Sequence, residues 1–224
     1  MDAMPDLSKV MKLLGDPTRI TILSLLMNQQ YYTVNEITKH CKTSISTTSY
    51  HLKKMSDIGW LTAYRRGRFS YYALADENVA EIIEKLMVIA PAGKVQSYNQ
   101  KQEILAVKEA RTCYQHLAGR LGVQLLDYFQ EKGYLVVKDH QPYLTEAGFG
   151  FFTGLGIDVS LLQKQPGEFA KLCLDWSERR FHLAGNLGKA FYRCLMDNHW
   201  LNHSQSTRSV HLTHLAPEWL QTLL

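Results

Sequence analysis

Two groups of residues in this 224-residue chain have types and spacings that could do chemistry. The first is built from thiols and imidazoles. Cys113 precedes His116 by three positions and Cys173 precedes His182 by nine, with Arg111 beside the first pair and Trp176, Arg179 and Arg180 beside the second. Cysteine and histidine together are donors for zinc and softer ions, and a thiol next to positive charge is readily ionised and oxidised. A Cys three residues before a His shares a helical face with it, so Cys113 and His116 are expected to point together toward Cys173 and His182. Otherwise the two sets look unlike. Trp176, Arg179 and Arg180 offer a different chemistry, a guanidinium grip on an anionic or aromatic organic effector. A third reading makes both cysteines small buried hydrophobes and pairs the arginines with Glu178 and Asp175. No cofactor is required by any one motif; a metal ion, an organic molecule and thiol oxidation stay open as signals.

The second group suits double-stranded DNA. Ser44, Ser46, Thr47, Thr48, Ser49, Tyr50, His51, Lys53 and Lys54 form one run, and Arg65, Arg66 and Arg68 follow closely. Short hydroxyl side chains let a helix approach base edges, while Lys and Arg reach phosphates. The charge distribution agrees: residues 1–75 hold ten Lys/Arg against five Asp/Glu, whereas the remaining chain holds 15 against 16. The net charge of +4 therefore resides in the first third, as a phosphate-facing surface requires.

The elements that must position these residues are legible from periodicity and caps. A first helix over about Leu7–Leu14 ends at Gly15, and Asp16-Pro17-Thr18 starts a second with Ile20, Ile22, Leu23, Leu25 and Leu26 inward. The capping box Thr33-Val34-Asn35-Glu36 opens a short third helix ending near His40. Thr43 or Ser44 caps a fourth, with Ile45, Leu52 and Met55 on its apolar side. Gly59–Tyr64 and Arg68–Leu74 read as a hairpin joined at Arg65-Arg66-Gly67. Asp76 caps a fifth helix carrying Val79, Ile82, Ile83, Leu86 and Met87, and Pro91-Ala92-Gly93 breaks it.

The motifs Leu14-Gly15-Asp16-Pro17-Thr18-Arg19-Ile20, Ser49-Tyr50-His51-Leu52-Lys53, Ile58-Gly59 and Arg66-Gly67-Arg68 with Tyr71-Tyr72 occur in order. With them the first ~90 residues resemble the ArsR/SmtB family of bacterial repressors. That resemblance implies a winged helix-turn-helix binding a palindromic operator as a homodimer, with the first and fifth helices at the interface. The stripe on the fifth helix reads equally well as intramolecular core. The family's usual metal sites cannot be assembled: Cys41 has no partner thiol in its region, and residues 76–90 contain no His.

Residues 91–102 read as a linker and 103–224 as a second domain, a sensor or oligomerisation unit. Here the chain repeats: His116-Leu117-Ala118-Gly119-Arg120-Leu121-Gly122 returns as His182-Leu183-Ala184-Gly185-Asn186-Leu187-Gly188. Tyr134-Leu135 and Trp200-Leu201 then lead into ribbons, the pattern of Gly59-Trp60-Leu61, so each half reads as winged-helix-like with its HLAG segment in a helix that meets its mate through Ala and Gly. The fold class expected is mainly α with short β-hairpins, α+β. The glycines Gly148, Gly150, Gly154 and Gly156 do not follow a strand as a dinucleotide site requires, and no catalytic set can be singled out, so no enzyme is expected. His199 with His203 and His211 with His214 read as surface histidines. No secretory layout or membrane span is seen near the start, and four scattered cysteines form no CxxC pair. The expectation is a cytoplasmic protein with reduced thiols and no membrane partner.

Overall fold

The computed structural model describes residues 4–204 and 207–224. The chain forms two compact units, Met1–Ile83 and Glu84–Leu224. In the first, α1 (Leu7–Leu14), α2 (Pro17–Leu26), β1 (Tyr32–Thr33), α3 (Val34–Cys41) and α4 (Ile45–Ser56) precede the hairpin β2 (Leu61–Arg66) and β3 (Phe69–Leu74). The strand order is β1-β3-β2, a winged helix-turn-helix.

Local chemistry explains the boundaries. Asp16 caps α2 by accepting from Arg19 N at 3.1 Å, while the Arg19 side chain donates back to the Leu13 and Lys12 carbonyls ending α1 at 2.6 and 2.7 Å. One short motif therefore finishes one helix and starts the next. Thr33 and Glu36 form the expected capping box, and Ser44 caps α4 by accepting from Thr47 N. Ile22, Leu23, Leu26, Ile37, Leu52 and Met55 are fully buried. Ile45, expected to face inward with Leu52 and Met55, is instead exposed: as the first residue of its helix it lies at the solvent end.

Helix α5 (Glu77–Ile89) carries the chain from the first unit into the second. Helix α6 (Tyr98–Glu109) begins inside the stretch read as a linker, because Ser97 caps it by accepting from Gln100 N. Then come the hairpin β4 (Arg111–Cys113) and β5 (His116–Ala118), α7 (Gly119–Glu131), the hairpin β6 (Leu135–Lys138) and β7 (Gln141–Leu144), α8 (Glu146–Gly154) and α9 (Val159–Leu162). The pattern returns as β8 (Lys171–Leu174) and β9 (Phe181–Ala184), α10 (Gly185–Asp197), β10 (Leu201–His203) and β11 (Val210–Leu212), and α11 (Glu218–Gln221). A core of Leu121, Leu125, Phe129, Phe152, Leu187, Phe191, Leu195 and Leu201 joins the two copies.

One connection between helix and ribbon recurs three times. The amides of Trp60, Tyr134 and Trp200 donate to Met55, Phe129 and Leu195 carbonyls at 2.8–2.9 Å, each after a residue with positive φ: Gly59, Gly133 and His199. In the second unit the Thr145 and Thr213 hydroxyls donate to the Gly133 and His199 carbonyls at 2.6 Å each. The glycines of the enzyme-like motif, Gly148, Gly150 and Gly154, lie within α8.

Candidate functional site

On the winged helix, α4 presents Ser46, Thr47, Ser49, Tyr50, Lys53 and Lys54 to solvent. Ser44 is also exposed, with its hydroxyl against those of Ser46 and Thr47 at 2.9 and 2.8 Å. Two of the residues expected at the DNA surface, Thr48 and His51, face inward instead. Thr48 is buried, its hydroxyl accepting from Thr38 at 2.9 Å, and His51 is buried with Nε2 3.9 Å from Asp16. The 3.6-residue period explains this: both positions share the stripe of Leu52 and Met55. In the wing, Arg65 and Arg66 belong to β2 and pair with Ser70 and Phe69, so the tip is Gly67-Arg68. Glycine comes first because its φ is +59°, a value that a two-residue hairpin loop demands and L side chains resist. Arg65, Arg66 and Arg68 are all exposed.

The second unit holds the cluster. Cys113 faces His116 across β4–β5, and Cys173 faces His182 across β8–β9. The expected helical face is thereby replaced by a hairpin register, in which paired residues project to the same side. The two sets are not unlike either: each supplies one Cys and one His from matching positions, and the four ligand atoms lie within 4.8 Å of one another. The Nε2 atoms of His116 and His182 are 3.1 Å apart. Cys113, His116 and His182 are buried and Cys173 is half-buried.

Glycines bring the copies together. Each HLAG segment is a strand end followed by a helix start rather than a helix, and Gly119 and Gly185 make the junction at φ +80° and +75°. A Cβ on Gly122 would stand 3.5 Å from the His182 Cβ, and one on Gly188 would stand 3.6 Å from the His116 Cβ. Each helix thus leans on the histidine of the other copy.

Asp175 supports the cluster from behind. Its Oδ2 lies 3.3 Å from His182 Nδ1 and accepts from Arg111 Nη2 at 2.9 Å and Gly119 N at 2.7 Å. Its Oδ1 accepts from Ser177 N and Oγ. A carboxylate behind an imidazole fixes the tautomer that leaves Nε2 free as a ligand. Burial pushes the His182 pKa down, but Asp175 and the Cys173 sulfur outweigh it and raise it to about 8. Burial lowers the His116 pKa. The hydrogen bond between the thiols, aided by both histidines, lowers the Cys173 pKa, and the same bond together with burial raises that of Cys113.

Two thiols and two imidazoles are, in type and number, the donor set of a tetrahedral ion. With metal–nitrogen and metal–sulfur bonds of about 2.05 and 2.3 Å, the N···N and S···S edges are about 3.3 and 3.8 Å, so all four atoms would fall within the span seen here. His116 Nδ1 and His182 Nδ1 are both buried without a well-formed hydrogen bond among the described residues, His182 Nδ1 facing Asp175 at 3.3 Å as a charge contact.

The organic-effector set is not brought together. Arg111 is fully buried with its guanidinium 4.6 Å over the Trp176 ring, whereas Arg179 and Arg180 are exposed and Arg180 donates to Asp127 at 2.6 Å. Arg111 pairs with Asp175 as the packing reading supposed; Arg180 does not. Cys41 is half-buried, and burial raises its thiol pKa to about 11. His203 sits in a strand with Nε2 2.9 Å from the Tyr192 hydroxyl, not on a helix with His199. Sequence reasoning passed over Glu84 and Arg208, both buried and joined as an ion pair.

A basic winged helix joined to a second unit with a thiol–imidazole cluster defines a transcriptional regulator. The family model for bacterial regulatory proteins of the arsR family matches residues 16–61. Over 209 residues, 93% of this chain and 92% of the relative, the chain is 37% identical to an uncharacterized HTH-type transcriptional regulator, YdfF, of Bacillus subtilis (strain 168). Over 80 residues, 36% of this chain and 66% of the relative, it is 32% identical to a cadmium resistance transcriptional regulatory protein CadC homolog of Staphylococcus aureus. A crystal structure of a possible transcriptional regulatory protein fragment from Mycobacterium bovis is 29% identical, covering 37% of this chain and 88% of that one at a TM-score of 0.34. The chain belongs to the arsR family of bacterial transcriptional regulators. Among the described residues, no helix is long and apolar enough to cross a membrane.

Proposed function

We propose that this regulator is a metal-responsive repressor that binds a palindromic operator as a homodimer and takes a thiophilic divalent ion at Cys113, His116, Cys173 and His182. The observation that carries the metal reading is the convergence of these four donors within 4.8 Å from two hairpins. A closed set of four protein ligands suits a structural or regulatory ion rather than a catalytic one. Ser46, Thr47, Ser49 and Tyr50 would read bases, and Lys53, Lys54, Arg65, Arg66 and Arg68 would hold phosphates. Exposed Leu7 and Met11 on α1 and Ile82 on α5 supply apolar surface that a dimer would cover.

The test combines metal content with DNA affinity. Wild type, Cys113→Ser and Cys173→Ser are purified natively, their metal is counted by mass spectrometry, and each is titrated onto a duplex selected from a random pool, with Zn(II) and with chelator. Wild type should hold one ion per chain and change its DNA affinity on loading; each serine variant should lose both properties. Wild type without metal, or serine variants that respond like it, would overturn the reading.

A further inference from the structure

The two copies of the hairpin differ in the residues that stand beside the cluster. Cys and His are matched by the pseudo-symmetry, but Arg111 stands where the other copy has Lys171, each paired with an alanine. Two residues separate Cys113 from His116, whereas eight separate Cys173 from His182. The longer loop carries Asp175. The residues that break the repeat, Arg111 and Asp175, are bonded to each other at 2.9 Å.

From there a chain of alternating charge leads to α5. Arg111 Nη2, the nitrogen that donates to Asp175, lies 3.6 Å from Glu84 Oε2, and the other Glu84 oxygen is held by Arg208. Arg208 also donates to the Met87 sulfur, one turn along α5. Asp175 and Arg111 are 0% exposed, Glu84 2% and Arg208 5%, so solvent screens these charges weakly and each reports the state of its neighbour.

We infer that Asp175, Arg111 and Glu84 couple occupancy of the Cys113, His116, Cys173 and His182 site to helix α5, with Glu84 as the coupling residue; this rests on the metal reading above. A cation on His182 Nε2 draws electron density from the ring and makes Nδ1–H, 3.3 Å from Asp175 Oδ2, attract that carboxylate more strongly. Asp175 then has less to offer Arg111, whose shared nitrogen has a second carboxylate within reach in Glu84. A guanidinium between two carboxylates has two arrangements, which is what coupling between separate sites requires. Its receiver, α5, is the helix whose first residues belong to the winged-helix unit.

The test compares wild type with Glu84→Gln and, because that change leaves Arg208 without its carboxylate, with the double variant Glu84→Gln/Arg208→Gln. Co(II) absorption reports whether the site still binds, duplex affinity with and without Zn(II) reports coupling, and hydrogen exchange in residues 84–89 of wild type reports the receiver. Wild type should change DNA affinity about tenfold or more on loading and alter exchange over 84–89. A folded Glu84 variant should give the same Co(II) spectrum with a response under about twofold. A Glu84 variant with the full response, or wild type that loads metal with no change in exchange over 84–89, would overturn the coupling alone. Wild type that takes no Co(II) would overturn the metal reading and the coupling with it.

Discussion

The Nε2 atoms of His116 and His182 stand 3.1 Å apart although 66 positions separate them. Two buried imidazoles at that distance must share a proton or give both lone pairs to a cation, since two facing N–H groups would repel. Asp175 decides the tautomer of one of them by lying 3.3 Å from His182 Nδ1. The pair is held from both sides by glycines, because Gly122 lies under His182 and Gly188 under His116.

Those glycines are testable. A Cβ on Gly122 would lie 2.6 Å from the Leu117 carbonyl oxygen, and one on Gly188 would lie 2.7 Å from that of Leu183. Both neighbours are backbone and cannot swing away. Gly122→Ala and Gly188→Ala are each expected to lose about 1–3 kcal/mol of stability in urea unfolding of the metal-free protein. They should also weaken Co(II) binding by displacing the opposite histidine. Unchanged midpoints for both would contradict the packing described.

The proposed DNA surface should separate into two kinds of loss. Arg66→Ala should weaken all duplexes alike and reduce the salt slope by about one unit. Thr47→Ala should relax discrimination by about 1–3 kcal/mol at one base pair. Thr48→Ala, at a buried site beside Thr38, should lower thermal stability and leave base preference intact. Anisotropy titrations on selected and random duplexes at several salt concentrations distinguish the three.

For the proposed dimer, α5 carries two different stripes. Ile83 is 3% exposed and Ile82 is 44% exposed, so Ile83→Asp should unfold the protein while Ile82→Asp should yield folded monomers with weakened operator binding. Sedimentation together with circular dichroism reads both outcomes. An Ile82→Asp protein that stays dimeric would place the interface elsewhere.

Asp16 gives a pH signature. Burial alone would raise its pKa, but the Arg19 amide, with His51 and the Arg19 charge, outweighs this and lowers it. A carboxylate with a depressed folded pKa stabilises above its unfolded value and loses that contribution as pH falls through the folded one. Asp16→Ala should therefore cost about 1 kcal/mol near neutral pH, and the difference from wild type should shrink as pH falls through the folded pKa, which lies below the ordinary carboxylate value of about 3.9. A difference that stays the same from neutral pH down to strong acid would rule out a charged cap.

Local signals determined the winged helix from sequence alone. Caps at Asp16, Thr33 and Ser44, the inward stripe of Leu52 and Met55, and Gly67 with its positive φ act within a few residues, so each is legible without the fold. The repeat of His116–Gly122 at His182–Gly188 was legible for the same reason, as was the list of thiols and imidazoles. Tertiary structure decided what those residues face. Cys113 and His116 are three apart in either a helix or a tight hairpin, and spacing cannot tell the two apart; the register Cys113 opposite His116 settles it. The matching role of Cys173 was hidden by the six extra residues of its loop, which shift the cysteines out of the 66-residue offset. Glu84 and Arg208 lie 124 positions apart and carry no local pattern, because a buried ion pair is selected by the partner that three-dimensional packing brings to it rather than by its neighbours in the chain.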